Sequence, residues 1–137
     1  MAPELFVDTS AWYPLVDRSA PDHAHLAAVL RERITSGWIL VTTNLVLAES
    51  QALIMRRIGK ETALSFLLEV RAAPNVVEYS TPEREERAER DWLARYSDQS
   101  FSLTDAVSFT VMEERGIGEV LALDQHFVTA GFVLAGI

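Results

Sequence analysis

Several short runs of this chain are apolar on consecutive residues, and that feature constrains the fold most. The runs are Leu5 to Val7, Trp38 to Val41, Val76 to Tyr79, Val120 to Leu123 and Phe132 to Leu134. A strand with one wet face alternates, whereas a strand covered on both faces reads as a continuous apolar run. Longer segments of helical period separate them: Ala11 to Val16, stopped or kinked by Pro14, then His23 to Thr35, Leu45 to Ile58, Glu61 to Arg71, Pro82 to Tyr96 and Asp105 to Arg115. Gly37, Gly59, Gly116 and Gly118 stand where helices should end. Strands alternating with helices predict an α/β fold, a single domain over residues 1–137. Its centre is a mainly parallel sheet of about five short strands flanked by helices.

Open parallel sheets bind ligands beyond the carboxyl ends of their strands, where the strand order reverses. Asp8 follows directly on the first strand, in LFVDTSAW, and Asp124 directly on the fourth, in EVLALDQHF. Helix capping by Asp8 and turn formation by Asp124 are the plain structural alternatives. Glu49 projects between Leu45, Ala52 and Leu53, on a stripe expected to face the core. Its neighbours at i+3 and i+4 are apolar, and Arg56, two turns away, is the available ion-pair partner. A buried glutamate without a partner is costly, which favours a functional acid. Asp105 completes a capping box with Ser102, yet it projects inward beside Ser108, Phe109 and Met112.

Four acids in one crevice would repel one another and lose hydration. A hard divalent cation such as Mg²⁺ or Mn²⁺ resolves both problems, because carboxylate oxygens and water are its preferred ligands. Such ions polarise a phosphodiester oxygen and activate a water; a pair of them about 3.5–4 Å apart serves both the attacking and the leaving oxygen. The net charge of −8, with twenty acids against Lys60 and eleven arginines, excludes a protein that grips nucleic acid through a broad basic face. Contact with nucleic acid then needs a local patch or mediating metal ions.

FVDTSAW, LVLAES, SFSLTDAVSF and VLALDQHFVTAGF occur in this order and at these places relative to the strands. Taken together, over nearly the whole chain, they resemble a PIN domain, and more narrowly the VapC-type toxins of bacterial toxin–antitoxin pairs. The resemblance implies a metal-dependent endoribonuclease acting as the toxin of a type II pair, using one or two Mg²⁺ or Mn²⁺ ions. Its acidic quartet falls on Asp8, Glu49, Asp105 and Asp124. Asp8 and Asp105 are implied as direct ligands, with Glu49 and Asp124 completing the shell or holding waters. The hydroxyl of Thr9 or Ser10 matches positions that line such sites, and Thr104 sits beside the third acid. The resemblance also implies an RNA substrate, a cognate antitoxin that blocks the site, and a homodimer. ALSFLLEV is a candidate for part of that interface, with a core helix as the default reading of a single apolar stripe. One departure is Gln125, where many relatives carry arginine.

Other residues have plainer readings. PEREERAERDWLARY is expected to be a solvated helix laced by i,i+4 pairs. His126 is expected to serve a turn or packing, since hard cations prefer oxygen, and His23 and His25 to lie on the surface. Trp12, Trp38 and Trp92 read as packing anchors. Arg56, Arg57 and Lys60 form the best small basic patch, open to a phosphate contact, although cations at a helix C-terminus need no ligand to explain them. A catalytically idle interaction module with the same fold is one alternative. A phosphoryl-transfer or receiver-type domain is another, weakened by Ser10 two residues after Asp8 and by the single lysine. No run approaches a membrane span, no leader is expected from Met1-Ala-Pro-Glu-Leu-Phe-Val, and the absence of cysteine favours the cytoplasm.

Overall fold

The three inner strands are buried along almost their whole length, as their unbroken apolar runs require. They are β1 (Glu4–Val7), β2 (Ile39–Thr43) and β4 (Glu119–Leu121); each has one half-buried residue, at its start. The edge strands β3 (Val76–Glu78) and β5 (Val133–Leu134) are shorter or more exposed, which limits pairing with other chains. The structure is a computed structural model that describes residues 1–72 and 74–136. Its five strands form one sheet in the order β3-β2-β1-β4-β5, and every neighbouring pair is parallel. The expectation of a mainly parallel sheet is borne out, with no antiparallel pair among the described residues.

That order fixes where a ligand can sit. From β1 the chain steps outward to β2 and β3, then returns across the sheet to β4 and β5. Right-handed crossovers therefore place the helices of the two halves on opposite faces. One set is α1 (Thr9–Val16), α2 (His23–Thr35), α3 (Asn44–Arg57) and α4 (Lys60–Arg71). The other is α5 (Pro82–Ala88), the π-helical stretch Glu89–Ala94 that continues it, α6 (Leu103–Arg115) and the short α7 (His126–Thr129). The order reverses between β1 and β4, so the crevice lies beyond Val7 and Leu121.

Helix α6 is buried on all sides from Asp105 to Met112. It packs against β2, α3, α5, the π-helical stretch and α7. Its side chain Phe109 centres an aromatic cluster, with ring centroids 4.9 Å from Trp92, 5.0 Å from Phe101 and 5.0 Å from Phe127. Gly116 ends the helix at φ 68°, a left-handed conformation that suits a residue without Cβ. Trp12 and Trp92 are buried, as packing anchors should be, and Trp38 lies under the Arg33 guanidinium at 4.3 Å.

Two expectations need correction here. The charged run 82–96 is one helical rod, but it is α-helical only to Ala88 and then π-helical. Apart from the neighbouring pair Arg90–Asp91 at 3.1 Å, its salt bridges go outward rather than along the helix. Arg84 pairs with Glu78 at 3.1 Å and Glu114 at 2.9 Å, and Arg87 pairs with Glu114 at 2.5 Å. Arg115 joins this network by pairing with both Glu4 and Glu78. The pairs thus bind α5 to α6 and the sheet, a tertiary role that helical spacing does not reveal.

Candidate active site

Asp8 is placed by the end of β1 and the start of α1. Its backbone is extended, its carboxylate caps α1 by accepting from the Ser10 amide at 3.1 Å, and the same oxygen accepts from the Ser10 hydroxyl at 2.8 Å. Ser10 Oγ in turn accepts from the amides of Leu123 at 2.9 Å and Asp124 at 3.3 Å. One hydroxyl therefore ties the acid after β1 to the loop after β4. Thr9 is used differently. Its hydroxyl is directed to the Val46 carbonyl at 3.4 Å and fastens α1 to α3.

The capping box expected at Ser102 and Asp105 is present in full. Ser102 Oγ accepts from the Asp105 amide at 3.0 Å, and Asp105 Oδ2 accepts from the Ser102 amide at 3.1 Å. Capping does not exhaust this carboxylate, because Oδ2 also lies 3.2 Å from His126 Nδ1. His126 Nδ1 is 3.4 Å from Asp124 Oδ1, and that oxygen accepts from the His126 amide at 2.9 Å. The His126 ring is held edge-on to Phe101 at 5.3 Å, so the aromatic cluster around Phe109 sets its position. One ligand atom from each of Asp105, Asp124 and His126 lies within 4.8 Å of the others.

His126 is thus nearer the acids than its expected turn or packing role implied. The local signal for it was its place two residues after Asp124, in the turn that opens α7. Glu49 also departs from expectation. Its projected neighbours Leu45, Ala52 and Leu53 are half-buried, but Glu49 itself is exposed, because α3 turns Glu49 and Leu53 to the crevice while Leu45 packs on the core. It has no ion pair among the described residues, so the possible partner Arg56 does not engage it.

Asp8, Thr9, Ser10, Glu49, Asp105 and Asp124 all line one crevice of about 330 Å³, together with Tyr13, Leu53 and Arg57. Thr104 is half-buried on α6, outside that lining, and its carbonyl accepts from Ser108 at 2.9 Å. Asp8 is 4% exposed and Asp105 8%. Burial pushes the Asp8 carboxyl up to about 6 against the two bonds from Ser10, and the charge of Asp105 pushes the same way. Oxygen donors from Asp8, Asp105 and Asp124, with one imidazole at the side, suit a hard or borderline divalent cation. Such an ion removes the desolvation and repulsion that Asp8 otherwise bears.

Comparison with known proteins agrees with this geometry. The PIN domain family profile matches residues 5–133. The 23S rRNA-specific endonuclease VapC20 of Mycobacterium tuberculosis is 38% identical over 130 residues, spanning 94% of this chain and 95% of that protein. Ribonuclease VapC26 of the same organism is 26% identical over 126 residues, spanning 92% and 90%. The crystal structure of VapC20, a Sarcin-Ricin loop cleaving toxin, superposes with a TM-score of 0.86 at 32% identity, covering 94% of this chain and 96% of that one. The chain belongs to the PIN-domain family, among its VapC-type ribonucleases.

Proposed function

We propose that this protein is a toxin endoribonuclease that cuts RNA with Mg²⁺ or Mn²⁺ held by Asp8, Asp105 and Asp124, with Glu49 at the rim. The observation that carries the reading is the meeting of acids from β1, α6 and the β4–α7 loop in one crevice at the sheet's switch point, with His126 beside Asp105 and Asp124. Bound there, the metal supplies Lewis-acid stabilisation of the scissile phosphate and a water of lowered pKa. Asp8 and Asp105 provide the buried negative charge that selects a cation. Ser10 fixes the Asp8 carboxylate, and the capping box and His126 fix that of Asp105. Asp124 is steadied by the His126 amide. Glu49, exposed and without an ion pair among the described residues, would be free to orient the attacking water.

The substrate we propose is the sarcin–ricin loop of 23S rRNA. The support is the similarity, over nearly the full chain, to the 23S rRNA-specific endonuclease VapC20. The same relatives support a cognate antitoxin as partner. The proposed place of action is the cytoplasm, and no helix among the described residues is long and apolar enough to cross a membrane. A homodimer fits helix α4, which turns Ala63, Phe66 and Val70 to the core but leaves Leu64 and Leu68 exposed. Primer extension on ribosomes treated with the protein in Mn²⁺ and in EDTA tests the substrate. A single metal-dependent break in the sarcin–ricin loop is expected. Scattered cleavage elsewhere in 23S rRNA, with that loop intact, rejects this target.

A further inference from the structure

The crevice walls carry four carboxylates and, among the described residues, one cation, Arg57. Arg57 lies in the last turn of α3, where the helix dipole alone accounts for a basic residue. The dipole does not account for where its head group goes. The guanidinium carbon sits 5.1 Å from the centroid of the Tyr13 ring, across the crevice wall on α1. No carboxylate is within ion-pair distance of it among the described residues.

The ring beneath it is a fixed plate. Tyr13 donates its hydroxyl to Asp17 Oδ2 at 2.8 Å, and Asp17 Oδ1 is held by the Ser19 amide at 3.0 Å and hydroxyl at 2.6 Å. The next residue, Pro14, is pinned through its carbonyl to His23 Nδ1 at 2.8 Å. The guanidinium also meets the Tyr13 hydroxyl, and its remaining N–H donors lie at its edges, in the planar fork that matches two phosphate oxygens. Glu49, Leu53 and Arg57 follow one another at four-residue steps along α3, and eight residues of helix span about 12 Å. Arg57 therefore stands beyond Leu53, away from the acids.

We infer that Arg57, supported by Tyr13, is a subsite for an RNA phosphate flanking the scissile one, and that it sets the direction in which the strand crosses the crevice. The inference rests on the ribonuclease reading above. A polyanion entering a crevice of four carboxylates is repelled except where metal or a fixed cation meets it, so one cation at one end orients the strand.

The test uses the full-length protein and a stem–loop RNA carrying the sarcin–ricin loop, cut in Mn²⁺ at several salt concentrations. For Arg57→Ala, KM rises about tenfold with a much smaller change in kcat, and the salt slope of kcat/KM falls by about 0.7, the loss of one phosphate contact on a single strand. Arg57→Lys restores the salt slope but only part of KM, because it keeps the charge and loses the fork. Replacing one flanking phosphate by a methylphosphonate costs the parent as much as Arg57→Ala does and costs that variant nothing more. Tyr13→Leu shows the same KM effect with an unchanged methylphosphonate position, which covers the case in which Arg57→Ala is poorly folded. Parent-like KM and salt slope in both variants overturn the subsite and leave the ribonuclease reading standing. A parent protein that cuts no RNA in any divalent metal overturns that reading instead.

Discussion

Ser10 Oγ lies 2.8 Å from Asp8 Oδ2 and binds that carboxylate to the loop after β4, through the amides of Leu123 and Asp124. Strands β1 and β4 are neighbours in the sheet, so this hydroxyl closes the floor of the crevice at the switch point. Ser10→Ala removes a donor to Asp8 and leaves two amides short of an acceptor. The unfolding free energy should fall by about 1–3 kcal/mol, read by urea unfolding. Loss of the bond also lets the Asp8 carboxyl titrate higher, so the acid limb of the cleavage profile should move to higher pH. A Ser10→Ala profile that overlies the parent's contradicts this role.

Asp8 makes the metal-free protein sensitive to pH in an unusual sense. Its carboxyl titrates at about 6 when folded against 3.8 when unfolded. The protonated form therefore favours folding. This stability is fully present below pH 3.8 and is lost as pH rises through about 6, a change of about 3 kcal/mol. Asp8→Asn removes the cost, and asparagine caps a helix as well as aspartate does. In EDTA at pH 7.5 the variant should melt at a higher temperature than the parent. Added Mn²⁺ should raise the parent's midpoint and leave the variant's unchanged. An Asp8→Asn protein less stable than the metal-free parent contradicts the desolvation account.

His126 bridges Asp105 and Asp124 by geometry that neither acid supplies alone. His126→Ala should weaken Mn²⁺ binding by about 10–100-fold, the range found when a residue that orients metal ligands is removed. Isothermal titration calorimetry measures this directly. Parent-like affinity in His126→Ala would return the residue to a packing role against Phe101.

Glu49 is exposed and has no ion pair among the described residues, so no salt bridge described in the fold depends on its charge. Glu49→Gln should leave the unfolding free energy within about 0.5 kcal/mol of the parent, as for other surface changes. RNA cleavage should nevertheless fall clearly. Cleavage equal to the parent's would remove Glu49 from the site.

The sheet was legible because burial on both faces writes consecutive apolar residues, and each inner strand overlaps LFV, WILV or VLAL. Strand β2 nevertheless runs on to Thr43, and β4 ends at Leu121, two residues short of Leu123, so that Asp124 lies in the loop beyond it. Helix α6 was legible from its cap and from Gly116. The acids after β1 and β4 were legible because strand ends and ligand crevices are linked by topology. The misjudged features depend on what lies across the fold. Helical projection found the neighbours of Glu49, but could not say whether that stripe faced core or crevice. His126 meets Asp105 across 21 positions, and Arg57 meets Tyr13 from a different helix, so no local pattern announces either. Nothing in ERDWLA distinguishes the π-helical stretch at Glu89–Ala94 from a continuation of the α-helix before it.

The central claim is that buried acids at the switch point hold a catalytic divalent cation. Cleavage of the sarcin–ricin stem–loop RNA by parent, Asp8→Asn and Asp105→Asn, with Mn²⁺ or EDTA, tests it most directly. Asparagine preserves both capping arrangements, so the comparison isolates the negative charges. The parent should cut only with metal, and each variant should lose at least about 100-fold in rate, the scale of an electrostatic group in the reacting centre. Equal cutting by the parent and both variants, or undiminished parent activity in EDTA, contradicts the claim.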